Sequence, residues 1–334
     1  MDALHYEELY RSVSGETVRA LVLAAGLGTR LFPLTLLRAK PAIPFVNRPI
    51  IQYSLEMLKR AGIDECVVNL HHLPETVRQA VGAGFPGVHY SYEPEILGTG
   101  GAIAKIRDFL AGDDFVVCNG KIYFEEDLGK AVTSHKESGA LATLVLVPFD
   151  RNAEFNPVFV DGRSKVKGFG PRYETQAGDT PFVFTGVHVL SPEILGRIPD
   201  GPSDTVRDLY LSLIREGKGV NAFISHAFWC EISTPRRYLE KSFEVLRRSE
   251  AQSNVISGHG TTIHSGAQLQ DSILWNNVSI GEHAYLNKVI AVDNISIPAN
   301  ARFEESIITP LTKFEGVLQS RGGRRDRDLV IWPL

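Results

Sequence analysis

The chain is poor in the residues that form disulfides, zinc sites and membrane spans. Its 334 residues include only three cysteines. Cys66, Cys118 and Cys230 stand inside apolar, strand-like runs and not at metal-ligand spacing. We find no apolar run long enough for a signal peptide or a membrane helix. With 35 basic against 39 acidic residues, no overall field would draw the chain to nucleic acid or an anionic membrane. We therefore expect a cytoplasmic protein with no nucleic-acid or membrane partner.

The most informative segment lies near the start of the chain. An apolar run, Val18–Ala25, precedes the loop Gly-Leu-Gly-Thr-Arg at residues 26–30, and Lys40 follows ten positions after Arg30. The run is typical of a buried parallel strand, and the two glycines let the backbone turn tightly and bring amide groups close to an anion. Arg30 adds a rigid fork of donors suited to phosphate, and Lys40 adds a point charge. The segment predicts a cradle for a phosphate chain.

Two better-known glycine loops are excluded by this pattern. A dinucleotide fingerprint needs a third glycine where Leu31 stands, and a Walker loop needs Gly-Lys-Ser/Thr. The string Leu-Ala-Ala-Gly-x-Gly-Thr-Arg-Leu-x-Pro-Leu-Thr, with a downstream Lys-Pro, instead resembles the nucleotidyltransferases that make nucleotide sugars from a nucleoside triphosphate and a sugar 1-phosphate. This resemblance implies roles for Arg30 and Lys40 in holding the triphosphate. It also implies nucleotide contacts from Leu23, Ala25, Gly26, Gly28 and Thr29.

Strand-like and helix-like segments alternate up to about residue 148. This alternation predicts a doubly wound, Rossmann-like α/β domain, in which ligands bind beyond the carboxyl ends of parallel strands. The expected strands are Val18–Ala25, Glu65–Leu70, Val88–Tyr92 and Phe115–Cys118, and the expected helices are Ile50–Ala61, Glu75–Val81, Gly100–Leu110, Asp204–Glu216 and Pro235–Arg248. Residues 156–190 are interpreted as short strands of a smaller sheet that lies over the crevice.

An internal repeat follows. Apolar or small residues recur at a spacing of 17 in four columns: Ile263, Ile280 and Ile297; Ala267, Ala284 and Ala301; Leu269, Leu286 and Phe303; Ile273, Ile290 and Ile307. This pattern predicts about three coils of a parallel β-helix, each covering the apolar face of the next. It is similar to the left-handed hexapeptide-repeat domains appended to many nucleotide-sugar synthases. An antiparallel sandwich with evenly spaced hairpins is the alternative.

These observations predict five segments. They are an N-terminal extension (1–18), a nucleotidyltransferase domain (19–248), a linker (249–254), a β-helix (255–309) and a C-terminal tail (310–334). The arginine-rich stretch Arg321–Arg327 is interpreted as part of a solvated tail. Because an uncapped repeat face usually seeks a partner, we expect a homo-oligomer, most simply a dimer.

A second glycine motif, Leu-Gly-Thr-Gly-Gly-Ala, begins at Leu97. Glycines at the mouth of a strand and the start of a helix allow a base or phosphate to approach the backbone, and a helix N-terminus favours negative charge. The motif resembles the family's base-contacting Leu-Gly-Thr-x-Gly. This resemblance implies nucleotide contacts from Gly98 and Thr99.

The family's metal motif is altered in this chain. Where the family has Asn-Gly-Asp, with the aspartate holding Mg²⁺, this chain has Asn119, Gly120 and Lys121. An ammonium offers no lone pair and cannot bind a metal. Either the site has lost its metal, or Lys121 places a fixed positive charge that neutralises phosphate directly. The resemblance implies nucleotide contacts from Asn119 and Gly120 and a catalytic role for Lys121.

The second metal ligand of the family is also changed. The run Trp-Cys-Glu-Ile-Ser-Thr-Pro from Trp229 resembles the family's Trp-x-Asp-x-Gly-Thr-Pro, so Glu231 takes the place of the second Mg²⁺ ligand. Glutamate keeps the charge and extends the carboxylate by one methylene. An ion pair between Glu231 and Lys121 is the alternative.

Two strand-like segments resemble the sugar-facing strands of the family. They imply sugar-phosphate contacts from Asn156, Thr185 and Gly186, with Thr185 bonding sugar hydroxyls and Gly186 admitting the hexose ring. The family's Glu-Lys-Pro is absent, and Lys165, Lys167 or Arg172 is a possible substitute.

The resemblance predicts an enzyme that joins a nucleoside monophosphate to a sugar 1-phosphate and releases pyrophosphate. In appearance it is closest to the mannose-1-phosphate guanylyltransferases, although neither base nor sugar is settled. The alternative is an inactive regulatory homologue that keeps nucleotide-sugar binding, because Lys121 replaces the metal-binding aspartate.

Overall fold

The strands and helices of the protein were obtained from a computed structural model that describes residues 18–150, 155–316, 318 and 321–334. The predicted N-terminal extension therefore lies outside the described residues, apart from its last position. In chain order the strands are β1 (Arg19–Leu23), β2 (Pro44–Phe45), β3 (Arg48–Pro49), β4 (Cys66–Leu70), β5 (Val88–Tyr92), β6 (Phe115–Asn119), β7 (Ile122–Phe124), β8 (Ala142–Pro148), β9 (Pro157–Val160), β10 (Val166–Phe169), β11 (Thr180–Leu190), β12 (Val220–Ile224), β13 (Trp229–Glu231), β14 (Val255–Ser257), β15 (Thr262–Ile263), β16 (Gln268–Gln270), β17 (Ser272–Leu274), β18 (Ser279–Ile280), β19 (Tyr285–Ala291), β20 (Ser296–Ile297), β21 (Arg302–Pro310), β22 (Arg324–Asp326) and β23 (Leu329–Pro333).

The helices occur between these strands. They are α1 (Ile50–Arg60), α2 (Pro74–Val81), α3 (Gly98–Lys105), α4 (Arg107–Leu110), α5 (Leu128–Ser138), α6 (Leu211–Arg215) and α7 (Pro235–Arg248), with short 3₁₀ turns at Thr29–Leu31, Leu34–Leu36, Lys40–Ala42, Pro192–Arg197 and Leu311–Lys313 and a π-helical segment at Thr205–Tyr210. The helix predicted over Gly100–Leu110 is two helices, because Ile106 leaves the helical conformation. In the described part of the chain, no helix is both long and apolar enough to cross a bilayer.

The chain forms two units. The first, here called the sheet unit, contains the chain up to Leu27 and Ile51–Cys230. The second, the coil unit, contains Gly28–Ile50 and Glu231–Leu334. The glycine loop therefore begins in the sheet unit and continues in the coil unit. The domain boundaries expected from sequence stay a prediction.

The sheet unit is built on one mixed sheet of nine strands, with the order β10-β9-β11-β6-β1-β4-β5 and with β8 and β12 following the other edge of β11. Strands β5, β4, β1 and β6 are parallel, as the alternating pattern predicted. The three central residues of β1 and all of β4 are buried, which explains their continuous apolar sequence.

The smaller second sheet predicted over residues 156–190 is wrong. The 11-residue strand β11 pairs antiparallel with β9 near its start and with β6 near its end. Because β11 pairs with both β9 and β6, strands β9 and β10 belong to the main sheet. The ladder between β11 and β8 is irregular between Phe184 and Val187, and this irregularity matters for the site.

The coil unit confirms the repeat. Parallel pairs join Ile263 to Ile280 and Ile280 to Ile297, so the 17-residue spacing is the register of neighbouring coils. The same offset pairs Ile273 with Ile290 and Ile290 with Ile307. Parallel pairing excludes the antiparallel sandwich. Each apolar column covers the next coil, which is the way such repeats bury a core.

The C-terminal residues add two strands to the last coil. β23 pairs antiparallel with β21, and β22 pairs with β23. Trp332 is buried, donates from Nε1 to Thr309 Oγ1 at 2.8 Å, and packs on Phe32 and Phe314. The arginine side chains at 324 and 325 are exposed as expected, but their backbone belongs to a strand. The apolar run from Leu329 was the signal for its partner strand, β23.

Candidate active site

The first half of the glycine loop lies at the end of β1 in the sheet unit. The backbone amides of Ala24 and Ala25 both donate to Oδ1 of Asn69, at 2.6 and 3.3 Å. Asn69 is a polar residue in the otherwise apolar strand β4, and only 3% of it is exposed. Because the Ala25 amide is engaged in this way, a nucleotide contact from Ala25 does not use that amide. Gly26 is exposed at the turn.

Asn69 is itself held by a buried carboxylate. Its Nδ2 donates to Oε1 of Glu93 at 2.8 Å, and Oε2 of Glu93 accepts from the backbone amide of Leu97 at 3.1 Å. Glu93 follows β5 directly and is 0% exposed. The Glu93 carbonyl also bonds to Nδ1 of His71 at 2.8 Å. This network joins the glycine loop to Leu97, the residue that precedes Gly98 and the start of α3.

The second glycine motif packs against protein backbone. A Cβ atom at Gly98 would lie 2.5 Å from the Ser203 carbonyl oxygen, and one at Gly101 would lie 2.4 Å from the Gly201 carbonyl oxygen. The amide of Gly100 donates to the Ser203 carbonyl at 2.9 Å. These glycines are therefore required by the neighbouring segment 201–203, which occupies the space that we had assigned to a base or phosphate.

The hydroxyl of Thr99 also contacts that neighbouring segment. It accepts from the Thr205 amide at 2.9 Å and lies 3.1 Å from the Thr205 hydroxyl. Sequence reasoning gave no signal for this pairing, because residues 201–205 are remote in the chain. Thr99 remains a predicted nucleotide contact, and its hydroxyl is already oriented by protein.

The altered metal motif lies where β6 ends. The Gly120 amide donates to the Leu23 carbonyl at 2.9 Å, so the central strand and β1 are joined at the level of the glycine loop. The carbonyl of Asn119 accepts from the Ser54 hydroxyl at 2.9 Å. Lys121 follows in the turn before β7 and is partly exposed. The sheet unit thus brings Leu23, Asn119 and Gly120 together, as predicted for parallel strand ends.

The role predicted for the Thr185 side chain needs correction. Thr185 is 1% exposed, and its hydroxyl donates to the Val145 carbonyl at 2.7 Å and accepts from the Val187 amide at 3.2 Å. The hydroxyl fills the irregular part of the ladder between β11 and β8, where the backbone groups lack their regular partners. The hydroxyl is therefore not available to bind a sugar. The Thr185 carbonyl accepts from Trp229 Nε1 at 3.1 Å.

Gly186 is required by a neighbouring side chain. Its φ is +80°, and a Cβ there would lie 1.9 Å from Nδ2 of Asn119. The space that we assigned to a hexose ring is thus occupied by an asparagine of the same predicted site. Asn156 is exposed just before β9. The structure therefore brings Gly186 and Asn119 together, and sugar binding by Asn156 and Gly186 stays a prediction.

The second half of the glycine loop lies in the coil unit and is tightly folded. Gly28 has φ +65°, and a Cβ there would lie 2.8 Å from Cγ2 of Thr35 and 3.3 Å from Cβ of Lys40. The Thr35 hydroxyl donates to the Gly28 carbonyl at 3.2 Å. Lys40 is 9% exposed, whereas Thr29 and Arg30 are exposed. The fold thus packs the Lys40 side chain against Gly28, and phosphate binding by this loop stays a prediction.

The segment that carries Lys40 is anchored within the coil unit. Arg38 Nη2 lies 2.6 Å from Oδ2 of Asp293, and its guanidinium lies 4.9 Å from the ring of Trp275. The Tyr238 hydroxyl donates to the Pro44 carbonyl at 2.6 Å and accepts from Trp275 Nε1 at 3.1 Å. Sequence reasoning missed all of these contacts, because an isolated arginine and an isolated coil aspartate carry no pairing signal.

Glu231 ends β13, where the coil unit resumes. It is 7% exposed, and its carbonyl accepts from Nε of Arg237 at 3.0 Å. Thr234 caps α7 by accepting from the Arg237 amide at 3.2 Å, with Pro235 in the first turn. The Thr-Pro of the family motif therefore begins a helix and fixes the backbone just after Glu231.

The donor set fits the family's two-carboxylate magnesium site only in part. Glu231 is a ligand type that Mg²⁺ accepts, whereas Lys121 cannot bind a cation. Among the described residues no group of three histidine, cysteine, aspartate or glutamate side chains could hold a metal ion. The protein residues therefore do not form the family's site, and we derive no catalytic step through a metal.

Buried titratable groups of the sheet unit have a structural character. Burial raises the pKa of the Cys66 thiol to about 12 and that of Cys118 still further, so both thiols are inert. Burial lowers the pKa of His188 to about 3, and its Nδ1 contacts the Tyr210 hydroxyl. These groups serve the core rather than proton transfer.

Comparison with known proteins connects this geometry to a family. Residues 19–248 match the family described as "Nucleotidyl transferase", and residues 242–313 match "GlmU-like, C-terminal hexapeptide". The chain therefore belongs to the nucleotidyl transferase family, in its sugar-1-phosphate branch. It carries a hexapeptide-repeat C-terminus. The resemblance and the fold class inferred from sequence are confirmed.

Curated relatives carry the names of sugar-phosphate enzymes. A UTP-glucose-1-phosphate uridylyltransferase of Synechocystis is 29% identical over 83% of this chain and 76% of its own length. A probable mannose-1-phosphate guanylyltransferase of rice is 31% identical over 66% of this chain, which spans 63% of the relative. A mannose-1-phosphate guanylyltransferase of Mycobacterium tuberculosis is 28% identical over 86% of this chain and 83% of its length.

Solved structures support the fold. HddC from Yersinia pseudotuberculosis, crystallised with GMP-PN, has a TM-score of 0.58 and 24% identity over 69% of this chain and all of its own. A putative glucose-1-phosphate thymidylyltransferase from Bacillus anthracis has a TM-score of 0.59 and 19% identity over 69% of this chain and 96% of its own. At these identities the likeness concerns the fold.

Proposed function

We propose that this chain transfers a nucleoside monophosphate from a nucleoside triphosphate to a sugar 1-phosphate, with mannose 1-phosphate and GTP as the first pair to test. The observation that carries the proposal is the folded glycine loop, in which Lys40 packs against Gly28 and Arg30 extends into solvent. The rice and Mycobacterium tuberculosis relatives, which are named guanylyltransferases, support the choice of GTP. The Synechocystis relative is named a uridylyltransferase, so UTP is the alternative.

In this reaction a phosphate oxygen of the sugar 1-phosphate attacks the α-phosphorus of the triphosphate. A new P–O bond forms, the bond between the α-phosphorus and its bridging oxygen breaks, and pyrophosphate leaves with the electron pair. Arg30 and Lys40 hold the triphosphate and stabilise the charge that develops on pyrophosphate. No covalent enzyme intermediate is required.

Backbone groups and Lys121 complete the proposed machinery. Gly26, which has open space where a Cβ would stand, lets the chain approach the nucleotide. Gly28 and Gly98 let their loops pack closely on neighbouring protein groups and so shape the nucleotide site, and Lys121 contacts the α-phosphate or the sugar phosphate. Lys121 thereby supplies positive charge where the family has an aspartate-bound cation. The family is generally Mg²⁺-dependent. Here such an ion would have one protein carboxylate, Glu231, and would depend on the phosphates of the substrate for its other ligands.

A second candidate function follows from the same lysine. A homologue that lost its metal-binding aspartate can keep nucleotide-sugar binding and act as a regulatory partner without turnover. Lys121 is the observation that favours it. A cytoplasmic location and a homodimer belong to either proposal.

Pyrophosphate release distinguishes the two functions. Purified protein is given GTP, UTP, dTTP, CTP or ATP with a panel of sugar 1-phosphates, with and without Mg²⁺. The enzyme proposal expects turnover with one pair, a loss of about 100-fold or more in Lys121→Ala, and little change in the matched surface variant Lys59→Ala. Lys121→Asp restores a second carboxylate and is expected to make turnover more dependent on Mg²⁺.

The opposite results are equally informative. Absence of pyrophosphate release with every pair, together with measurable binding of a nucleotide sugar, would establish the regulatory function. Turnover that is unchanged in Lys121→Ala would show that the lysine does not touch the reacting phosphates.

A further inference from the structure

We propose that Asn69 and Glu93 form a positioning pair, which fixes the glycine loop and a second loop in register so that both reach one nucleotide. The second loop is the one that ends at Leu97 and leads into Gly98 and Thr99 in the first turn of α3. This proposal rests on the proposed function, because it assigns nucleotide binding to those two loops. The pair lies wholly within the sheet unit. Neither residue is predicted to touch the nucleotide, and both act through backbone amides.

Hydrogen bonds fix the orientation of the Asn69 amide group. Its Oδ1 accepts from two backbone amides, Ala24 and Ala25, and its Nδ2 faces the Glu93 carboxylate. Turning the amide over would place Nδ2 against two N–H donors and Oδ1 against an anion, so only one orientation satisfies the site. Asn69 thus holds the two residues at which the chain leaves β1.

Glu93 holds the other loop. One oxygen accepts from Asn69 and the other accepts from the Leu97 amide at 3.1 Å. A fully buried carboxylate is costly unless its oxygens are hydrogen-bonded, so its presence indicates that the arrangement is maintained by specific partners. The carboxylate also lies next to the start of α3, where negative charge is favourable.

The backbone groups that this network binds distinguish a positioning role from a purely structural one. Within the described part of the chain, the side chains of the pair accept from three backbone amides, those of Ala24, Ala25 and Leu97, and all three belong to loops predicted to bind nucleotide. A loss of the pair would let the two loops shift independently. Nucleotide affinity should therefore fall more than the general stability of the sheet unit explains.

An exchange of the two side-chain types provides a sharp test. Glu93→Gln places an amide group against either Asn69 Nδ2 or the Leu97 amide, so one pair of donors must face each other. In the double variant N69D/E93Q, the new aspartate accepts from Ala24, Ala25 and the glutamine amide, while the glutamine oxygen accepts from Leu97. Every hydrogen bond is restored, and the negative charge now lies on residue 69 instead of residue 93.

Two measurements are made on the full chain. Calorimetry gives the dissociation constant for the nucleoside triphosphate, and hydrogen exchange with mass spectrometry follows the peptides that contain Ala24, Ala25 and Leu97. We expect Glu93→Gln to weaken binding roughly 10- to 100-fold and to speed exchange in both peptides, since it leaves a buried donor without an acceptor. N69D/E93Q should bind within about threefold of wild type.

A matched control removes a buried hydrogen bond elsewhere in the sheet unit. Thr143→Val breaks the 2.8 Å bond between the Thr143 hydroxyl and Nδ1 of His135. It should lower Tm and leave nucleotide affinity unchanged. If Glu93→Gln behaves in the same way, or if N69D/E93Q rescues neither affinity nor exchange, the positioning role is overturned.

The design also separates this proposal from the proposed function. If the wild-type chain binds no nucleoside triphosphate, the proposed function fails, whereas unchanged exchange in Glu93→Gln shows that the pair does not hold the loops. Should Glu93→Gln not fold, Asn69→Ser supplies a second way to break the pair, because the shorter side chain loses both the donor to Glu93 and the acceptor of the Ala24 and Ala25 amides without opposing two donors. Wild-type affinity and exchange in Asn69→Ser would then refute the pair.

Discussion

The two halves of the glycine loop are held in contrasting ways. In the sheet unit, the amides of Ala24 and Ala25 are bound by Asn69, which is held by Glu93, and these two side chains are 3% and 0% exposed. In the coil unit, the segment that leads to Lys40 is anchored by Arg38 and Asp293, whose side chains are 26% and 21% exposed. The first anchor is almost completely buried, and the second is partly exposed to solvent.

This difference has physical consequences. Hydrogen bonds in a low-dielectric interior are strong, and a broken one leaves a buried group unsatisfied. An ion pair near water contributes less and is screened by salt. The sheet unit should therefore respond to substitutions and to protonation, whereas the coil anchor should respond to ionic strength. The predictions below begin with the largest expected effect.

The charge that the coil unit supplies to the loop should matter most. We expect Lys40→Met to lower kcat by about 10²- to 10³-fold, because a fixed charge that stabilises developing negative charge is lost. Pyrophosphate release measures the effect, and Lys59→Met, at an exposed position of α1, is the control. A kcat within about threefold of wild type would remove Lys40 from the catalytic machinery.

A matched pair of glycines, one in each unit, tests how tightly the sheet unit and the coil unit pack around a glycine. Gly98 and Gly28 have similar φ values, +73° and +65°, but a Cβ would meet a backbone carbonyl at Gly98 and a side-chain methyl at Gly28. Gly98→Ala should cost about 2 to 4 kcal/mol of unfolding free energy, and Gly28→Ala about 1 to 2 kcal/mol, since only the methyl can move. Urea denaturation measures both. Equal losses would contradict the stated difference between the two obstacles.

Much of the fold was predictable from local patterns. The alternating apolar segments predicted the parallel strands, and the columns of isoleucine at a spacing of 17 residues predicted the coil register. Both patterns could be recognised because apolar residues recur wherever a neighbouring element covers them. The long strand β11 could not be predicted in this way. Its pairing with both β9 and β6 is a non-local property that no single segment encodes.

The candidate site was predictable where it follows a motif and not where it depends on distant partners. The string from Leu23 to Lys40 identified the loop, and the structure packs Lys40 on Gly28 within it, while nucleotide binding by these residues stays a prediction. Glu93 and Asn69 could have been suspected as polar residues within or directly after apolar strands. Ser203 could not, because only the folded chain brings it to Gly98.

Acid should destabilise the sheet unit through His188. Its pKa is about 3 in the folded chain and 6.5 without burial, so between those values only the unfolded chain binds the proton. Stability is therefore lost as pH falls from about 6.5 towards 3. At about pH 4.5 the penalty is about 2 to 3 kcal/mol relative to neutral pH.

The variant His188→Gln isolates this effect. It removes the titrating group, so urea denaturation at neutral pH and at about pH 4.5 should show a smaller acid loss than in wild type. Asp208 and Glu216, whose pKa values are lowered by neighbouring basic side chains, titrate equally in both proteins. Parallel losses in wild type and variant would mean that His188 is protonated in the folded chain.

The smallest expected effect concerns the partly exposed ion pair between Arg38 and Asp293. Asp293→Asn replaces the ion pair with Arg38 by a neutral contact and keeps an acceptor for the Asn276 amide, which bonds to Oδ1 at 3.1 Å. A pair of this exposure contributes about 0.5 to 1 kcal/mol. We therefore expect the KM for the nucleoside triphosphate to rise about two- to fivefold at low salt, with kcat little changed.

Salt decides whether the ion pair is the cause. Because the attraction is screened, the ratio of KM values between Asp293→Asn and wild type should shrink towards one at about 0.5 M NaCl. The control is Glu304→Gln, which breaks the exposed pair with Arg302 at 2.6 Å elsewhere in the coil unit and should not alter KM. A salt-independent ratio would place Asp293 among the tightly buried contacts, and the contrast between the two halves of the loop would be lost.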